Sequence, residues 1–124
     1  MNKTDESFLV NRIKSVGYAF KGMLHLLKTE ASIKVQFSVA IIVTCLGFYF
    51  QISSLEWLMQ IFAICLVMSI EGVNTAVEKI ADFIHPEHHT KIGIIKDIAA
   101  GAVFFASLGA IATGCIIYIP KFMA

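Results

Sequence analysis

The sequence predicts an all-α membrane protein: one amphipathic helix on the bilayer surface, followed by three helices that cross the bilayer. Three observations predict it. Apolar residues make up 57% of the 124 and charged residues only 15%, where soluble domains run at about 45–50% and about 25%. A chain this short cannot hide that excess inside itself, because small domains bury a smaller share of their surface. Finally, three apolar segments, 33–52, 55–73 and 98–119, reach or nearly reach the ~20 residues that cross ~30 Å of hydrocarbon.

The surface helix covers about 8–28. Phe8, Ile13, Val16, Phe20, Met23, Leu24 and Leu27 recur at helical spacing, with Arg12, Lys14, Lys21 and Lys28 between them. A basic amphipathic helix of this kind lies in the headgroup plane. The first span, about 33–52, must be helical because backbone groups in lipid bond internally. The second helix, about 55–84, meets no breaker until His85-Pro86 and so extends past the bilayer, where proline ends it. A loop over 86–93 leads to the third span, about 95–119. Residues 1–124 form one domain. In the third span Ala102, Ala106, Ala110 and Gly114 recur every four residues, a stripe that either admits a close helix or faces lipid. Cys45, Cys65 and Cys115 read as small apolar side chains packed within helices. The start, MNKTDESFLVNRIK, lacks the apolar core of a removable signal peptide.

Lysine and arginine set the orientation. Lys3, Arg12, Lys14, Lys21, Lys28 and Lys34 precede or open the first span, and Lys79, Lys91 and Lys96 flank the link between the second and third. The link between the first and second has none, and only Lys121 follows the third. The N-terminus is therefore expected in the cytoplasm and the C-terminus outside. Trp57 and Tyr118 fall near the outer ends of their spans, where aromatic belts form.

The chemistry concentrates in the second helix. Glu71, Asn74, Glu78 and Asp82 stand at i, i+3, i+7 and i+11, on one helical face. Like charges at such spacing repel, so a positive partner is expected opposite, a divalent cation being the simplest. If the span begins at Leu55, the hydrocarbon ends near Asn74; Glu71 sits at the interface, with Glu78 and Asp82 roughly 10 Å and 16 Å further out. A carboxylate at that depth is a functional candidate and suits a general base acting on a group at headgroup level. Glu30, Glu87 and Lys96-Asp97 belong to the same leaflet; with Glu78 they could hold Mg²⁺ and a polyphosphate, although Lys96-Asp97 also reads as an ordinary interfacial charge pair.

Other chemistries lack their residues. No arginine-rich run or aromatic–basic interleaving points to nucleic acid. There is no GxxxxGK[ST] loop and no protein-kinase glycine loop with its partner motifs. His85, His88 and His89 do not match the four-ligand spacing of structural zinc sites, and His25 reads as an interfacial side chain.

Glu71-Gly-Val-Asn-Thr-Ala-Val-Glu78, then Asp82, then Lys96-Asp97-Ile-Ala-Ala-Gly-Ala102 resembles the prokaryotic diacylglycerol kinase family, which includes the undecaprenol kinases. The likeness extends to Gly17-Tyr18, Lys21-Gly22 and Thr29-Glu30-Ala31, covering nearly the whole chain. It implies a homotrimer in the bacterial cytoplasmic (inner) membrane, with active sites shared between subunits, that phosphorylates a lipid alcohol with Mg-ATP. By motif, Glu71 resembles the catalytic base and Asn74 its neighbour, and Glu30 and Glu78 resemble the Mg²⁺ ligands at the ATP phosphates. Tyr18, Glu87, His88, His89, Lys96 and Asp97 resemble the nucleotide contacts, and Arg12 and Lys21 candidate substrate contacts. Two positions depart from the family. Asn11 stands where its N-terminal arginine is expected, with Arg12 one residue later, and Gln36 stands where some diacylglycerol kinases carry a second acid. Leu55-Glu-Trp57, Pro86-Glu-His-His89 and Ile119-Pro-Lys-Phe122 look more like undecaprenol kinases. The rival reading is a small ion or solute transporter subunit using the interfacial carboxylates; against it, the acidic row does not continue through the first and third spans. A purely structural subunit leaves the row unexplained.

Overall fold

A computed structural model describes residues 7–124 as four helices: α1 (Phe8–Thr29), α2 (Ala31–Phe50), α3 (Ser54–Ile84) and α4 (Thr90–Met123). Lys3, counted in the topology expectation, lies outside the described residues. The last three helices are long and apolar enough to cross a membrane.

Local chemistry sets each boundary. Ser7 caps α1 by accepting the Val10 N–H at 3.2 Å. Glu30 alone separates α1 from α2, with extended dihedrals (φ −101°, ψ 117°). Its N–H still bonds Leu26 O, and its carbonyl already accepts the Lys34 N–H. The break is thus a one-residue hinge that redirects the chain while Glu30 keeps a backbone bond to each helix. Ser53 and Glu56 form a reciprocal capping box at the head of α3. His89 caps α4, its Nδ1 accepting the Lys91 N–H at 3.1 Å.

Two expected boundaries shift. The first span ends at Phe50, because Gln51 adopts the left-handed conformation (φ 51°) and turns Ile52 back into the core. The last helix starts at Thr90 rather than about 95, because the His89 cap satisfies its first turn, and it runs to Met123 through Pro120. Proline removes one backbone donor there, and Lys121 Nζ bonds the Ile117 carbonyl at 3.1 Å.

The short link 85–89 folds α4 back along α3, the most extensive packing in the chain; α2 lies against α3, and α1 against α2. Ile33 is buried beside the hinge, and the main apolar cluster sits at the end away from Glu30. Ile52, Ile117 and Tyr118 are buried there, with Val43, Leu46, Phe50 and Trp57 around them. Trp57 stacks on Phe48 at 4.8 Å. Tyr118 does not join an outer aromatic belt: it is buried because its hydroxyl finds two partners inside, the Val43 carbonyl at 2.9 Å and the Gln60 side-chain carbonyl. Lys121 Nζ meets Glu56 at 2.6 Å and closes this end.

The small-residue stripe turns partly inward. Ala106 is buried, and Ala110 and Gly114 line an apolar cavity of about 230 Å³ between α2, α3 and α4, whereas Ala102 is exposed. All three cysteines lie in helices as expected, yet on the outer faces, so this chain alone does not pack them. The α1 helix buries no residue within the chain, and Phe48, Phe62 and Phe105 also face outward. Such surface on a helical membrane protein meets lipid or further copies of the chain.

Candidate functional site

The acidic row of α3 is divided by its hydrogen bonds. Glu71 is 7% exposed and Asn74 9%, both on the face that packs against the other helices. The Asn74 side-chain N–H₂ donates twice, to Glu71 Oε2 at 3.2 Å and to Glu78 Oε1 at 3.3 Å. One amide thus bridges two carboxylates a helical turn to either side. The other Glu71 oxygen, Oε1, accepts the Gln36 Nε2–H at 3.0 Å from α2. Both oxygens of the buried Glu71 carboxylate therefore hold one neutral donor each. A carboxylate has about four lone-pair sites, so acceptor capacity is left for a hydroxyl.

Two buried atoms at this place have no hydrogen-bond partner among the described residues: Asn74 Oδ1 and Gln36 Oε1. Unpaired buried carbonyls are uncommon and mark places where something else binds. Carboxylates and free carbonyls together make an acceptor-rich site, which suits a ligand that donates.

Asp82 leaves the row. It pairs with Lys96 Nζ of α4 at 2.5 Å, so its positive partner is a lysine. Lys96 accordingly reaches across to α3 instead of pairing with its neighbour Asp97, which is exposed. Glu30, at the α1–α2 hinge, lies 3.6 Å from Lys79 Nζ. The hinge and α3 are thereby tied at the same end of the bundle that holds Glu71. Gly72 assists: a Cβ there would stand 3.1 Å from Leu26 Cδ1, so α1 approaches α3 closely.

The other expected site residues are spread out. Arg12 lies over the Phe8 ring at 5.6 Å and Lys21 over the Tyr18 ring at 5.9 Å, both contacts within α1. In the link, His85 Nδ1 meets the Glu87 carbonyl at 2.8 Å, and the side chains of Glu87 and His88 are exposed. His89 is occupied as the α4 cap. Among the described residues no three His, Cys, Asp or Glu side chains gather into a metal cluster within one chain. The motif reading did not single out Gln36 as a site residue. Its signal was available: an amide near the start of a span, flanked by Val35 and Phe37.

The prokaryotic diacylglycerol kinase family model matches residues 17–118, which contain Glu30, the whole acidic row and Lys96. The chain belongs to that family. It is a lipid kinase. Undecaprenol kinase of Bacillus subtilis (strain 168) is 32% identical over 98% of this chain and 99% of its own length. Diacylglycerol kinase of Escherichia coli (strain K12) is 29% identical over 85% of this chain and 86% of its own. Diacylglycerol kinase of Haemophilus influenzae is 32% identical over 79% and 83%. Among the residues that the family model spans, the kinase holds one buried carboxylate between two amides, and its exposed carboxylates and lysines cluster at the same end.

Proposed function

We propose that this kinase transfers the γ-phosphate of Mg-ATP to the primary hydroxyl of a long-chain membrane alcohol, undecaprenol in preference to diacylglycerol. The observation that carries the reading is the buried Glu71, clamped by Gln36 and Asn74 and still able to accept. Undecaprenol is favoured because the undecaprenol kinase relative aligns along its full length, whereas the diacylglycerol kinases align over a shorter stretch.

In this mechanism Glu71 accepts the hydroxyl proton as the lipid oxygen forms its bond to the γ-phosphorus. The bond from that phosphorus to the β–γ bridging oxygen breaks, and ADP leaves. Phosphoryl transfer asks mainly for positioning and charge stabilisation. The amide clamp supplies the first. Lys96, with Tyr18, Glu87, His88, His89 and Asp97, is assigned to the nucleotide. Glu30 and Glu78 would hold Mg²⁺, which when bound supplies Lewis-acid charge to the phosphates. Their chemistry fits: Mg²⁺ takes one or two carboxylates and fills its remaining positions with water and phosphate oxygens. The Lys79 ammonium beside Glu30 already marks that carboxylate as a cation acceptor. Arg12 and Lys21, on the basic face of α1, are assigned to the lipid headgroup region. The lysine distribution supports a cytoplasmic site, and the resemblance to the family supports a homotrimer.

Purified protein, labelled ATP and either lipid in separate micelles test the reading. Glu71→Gln should abolish transfer and keep ATP binding. Full activity in that variant removes Glu71 as the base, and transfer to diacylglycerol but not undecaprenol reverses the substrate assignment.

A further inference from the structure

Gln36 stands at a junction of three features. Its amide N–H holds Glu71 Oε1 at 3.0 Å. Its own carbonyl is buried and has no hydrogen-bond partner among the described residues. Gln36 also lines the apolar cavity between α2, α3 and α4, whose other lining residues include Val39, Val67 and Ile117. It is thus the polar group where the base meets apolar surface, and it is contributed by a different helix from the base.

The clamp needs both of its jaws. Asn74 is on α3 with Glu71, three residues on, and follows any motion of that helix. It fixes one oxygen but leaves the carboxylate free to turn about the bond to its chain. The second donor, from α2, fixes the plane of the carboxylate and ties it to the wall of the cavity. Side-chain groups must be held to within about 0.5 Å for efficient transfer. No cation lies within ion-pair distance of Glu71 among the described residues, so these two neutral amides do the orienting.

We propose that Gln36 is the positioning residue of the base: it fixes the Glu71 carboxylate from the first span and aims its free lone pairs toward the hydroxyl of a lipid whose chain lies along the apolar cavity. The inference rests on the reading of Glu71 as the base. Gln36 takes no part in bond making. It acts through Glu71, so its effect disappears when Glu71 is already misplaced.

A double-mutant cycle tests this. Gln36→Met keeps the length of the side chain and removes both hydrogen-bonding atoms. It should lower kcat, counted per ATP-binding site, by about 10- to 100-fold. The KM values for ATP and for lipid should stay within about twofold. In a Glu71→Asp background, where the carboxylate is drawn back from the amide, the same change should lower kcat by less than about threefold. Gln36→Asn, which keeps the amide but shortens its reach, should behave like Gln36→Met and serves if the methionine variant does not fold. Wild-type kcat in the Gln36 variants overturns the proposal, as does a loss that multiplies independently with that of Glu71→Asp. Full activity of Glu71→Gln instead overturns the base assignment, so the two failures are distinct.

Discussion

Replacing Asn74 by leucine removes the side chain that, among the described residues, hydrogen-bonds both Glu71 and Glu78. The volume changes little, but two charge-assisted hydrogen bonds, at 3.2 and 3.3 Å, are lost. Hydrogen bonds to charged groups contribute about 1.5–3 kcal/mol each. One lies at the long end of the usual range for N–H···O bonds and the other just beyond it, so the lower value applies, giving about 3 kcal/mol for the pair. If that interaction serves the transition state, kcat falls by about 100-fold, at 1.36 kcal/mol per tenfold. The assay is the initial rate of phosphate transfer from labelled ATP to lipid in micelles, with nucleotide binding measured separately on the same preparation. ATP affinity should change far less than kcat, because Asn74 is buried behind Glu78. A kcat within about threefold of wild type would refute the idea that the amide bridge organises the base. So would a variant whose whole loss appears in the KM for ATP.

Three further outcomes follow from the same structure. Gly47→Ala would put a Cβ 2.7 Å from Trp57 Cη2 and 3.1 Å from Ile52 Cδ1; overpacking of this kind costs about 1–3 kcal/mol, so the thermal midpoint should fall with kcat per folded molecule unchanged. Lys121→Met opens the Glu56 contact at the opposite end of the bundle, and should lower thermal stability while the KM for ATP stays fixed. Asp82→Asn releases Lys96 from a half-exposed ion pair, an interaction that contributes under about 1 kcal/mol; thermal stability should hardly move, whereas Lys96→Met should raise the KM for ATP by about tenfold through the lost phosphate contact. Equal ATP kinetics in wild type and Lys96→Met would remove Lys96 from the nucleotide site.

Much of this protein can be read along the chain. The excess of apolar residues and their segment lengths demand membrane helices, because lipid leaves the backbone no other partner. The spacing of Glu71, Asn74 and Glu78 places them on one face through helical periodicity alone. Boundaries were less legible. Gln51 enters a left-handed turn and His89 serves as a cap, and neither residue type advertises that role strongly.

What only the tertiary structure decided is which member of the acidic row is paired with what. Periodicity aligns Asp82 with Glu71 and Glu78, yet Lys96 of α4 takes Asp82 out of the row. The same limit hid Gln36, which reaches Glu71 across 35 positions of sequence. Tyr118, by position a residue for the membrane interface, is drawn inside by Gln60 and the Val43 carbonyl. The physical reason is common to all three. A periodic pattern reports which face of one helix a residue occupies, whereas a hydrogen bond between helices depends on their relative rotation and depth. Those are settled by packing, at positions such as Gly47 and Gly72 where the helices come close.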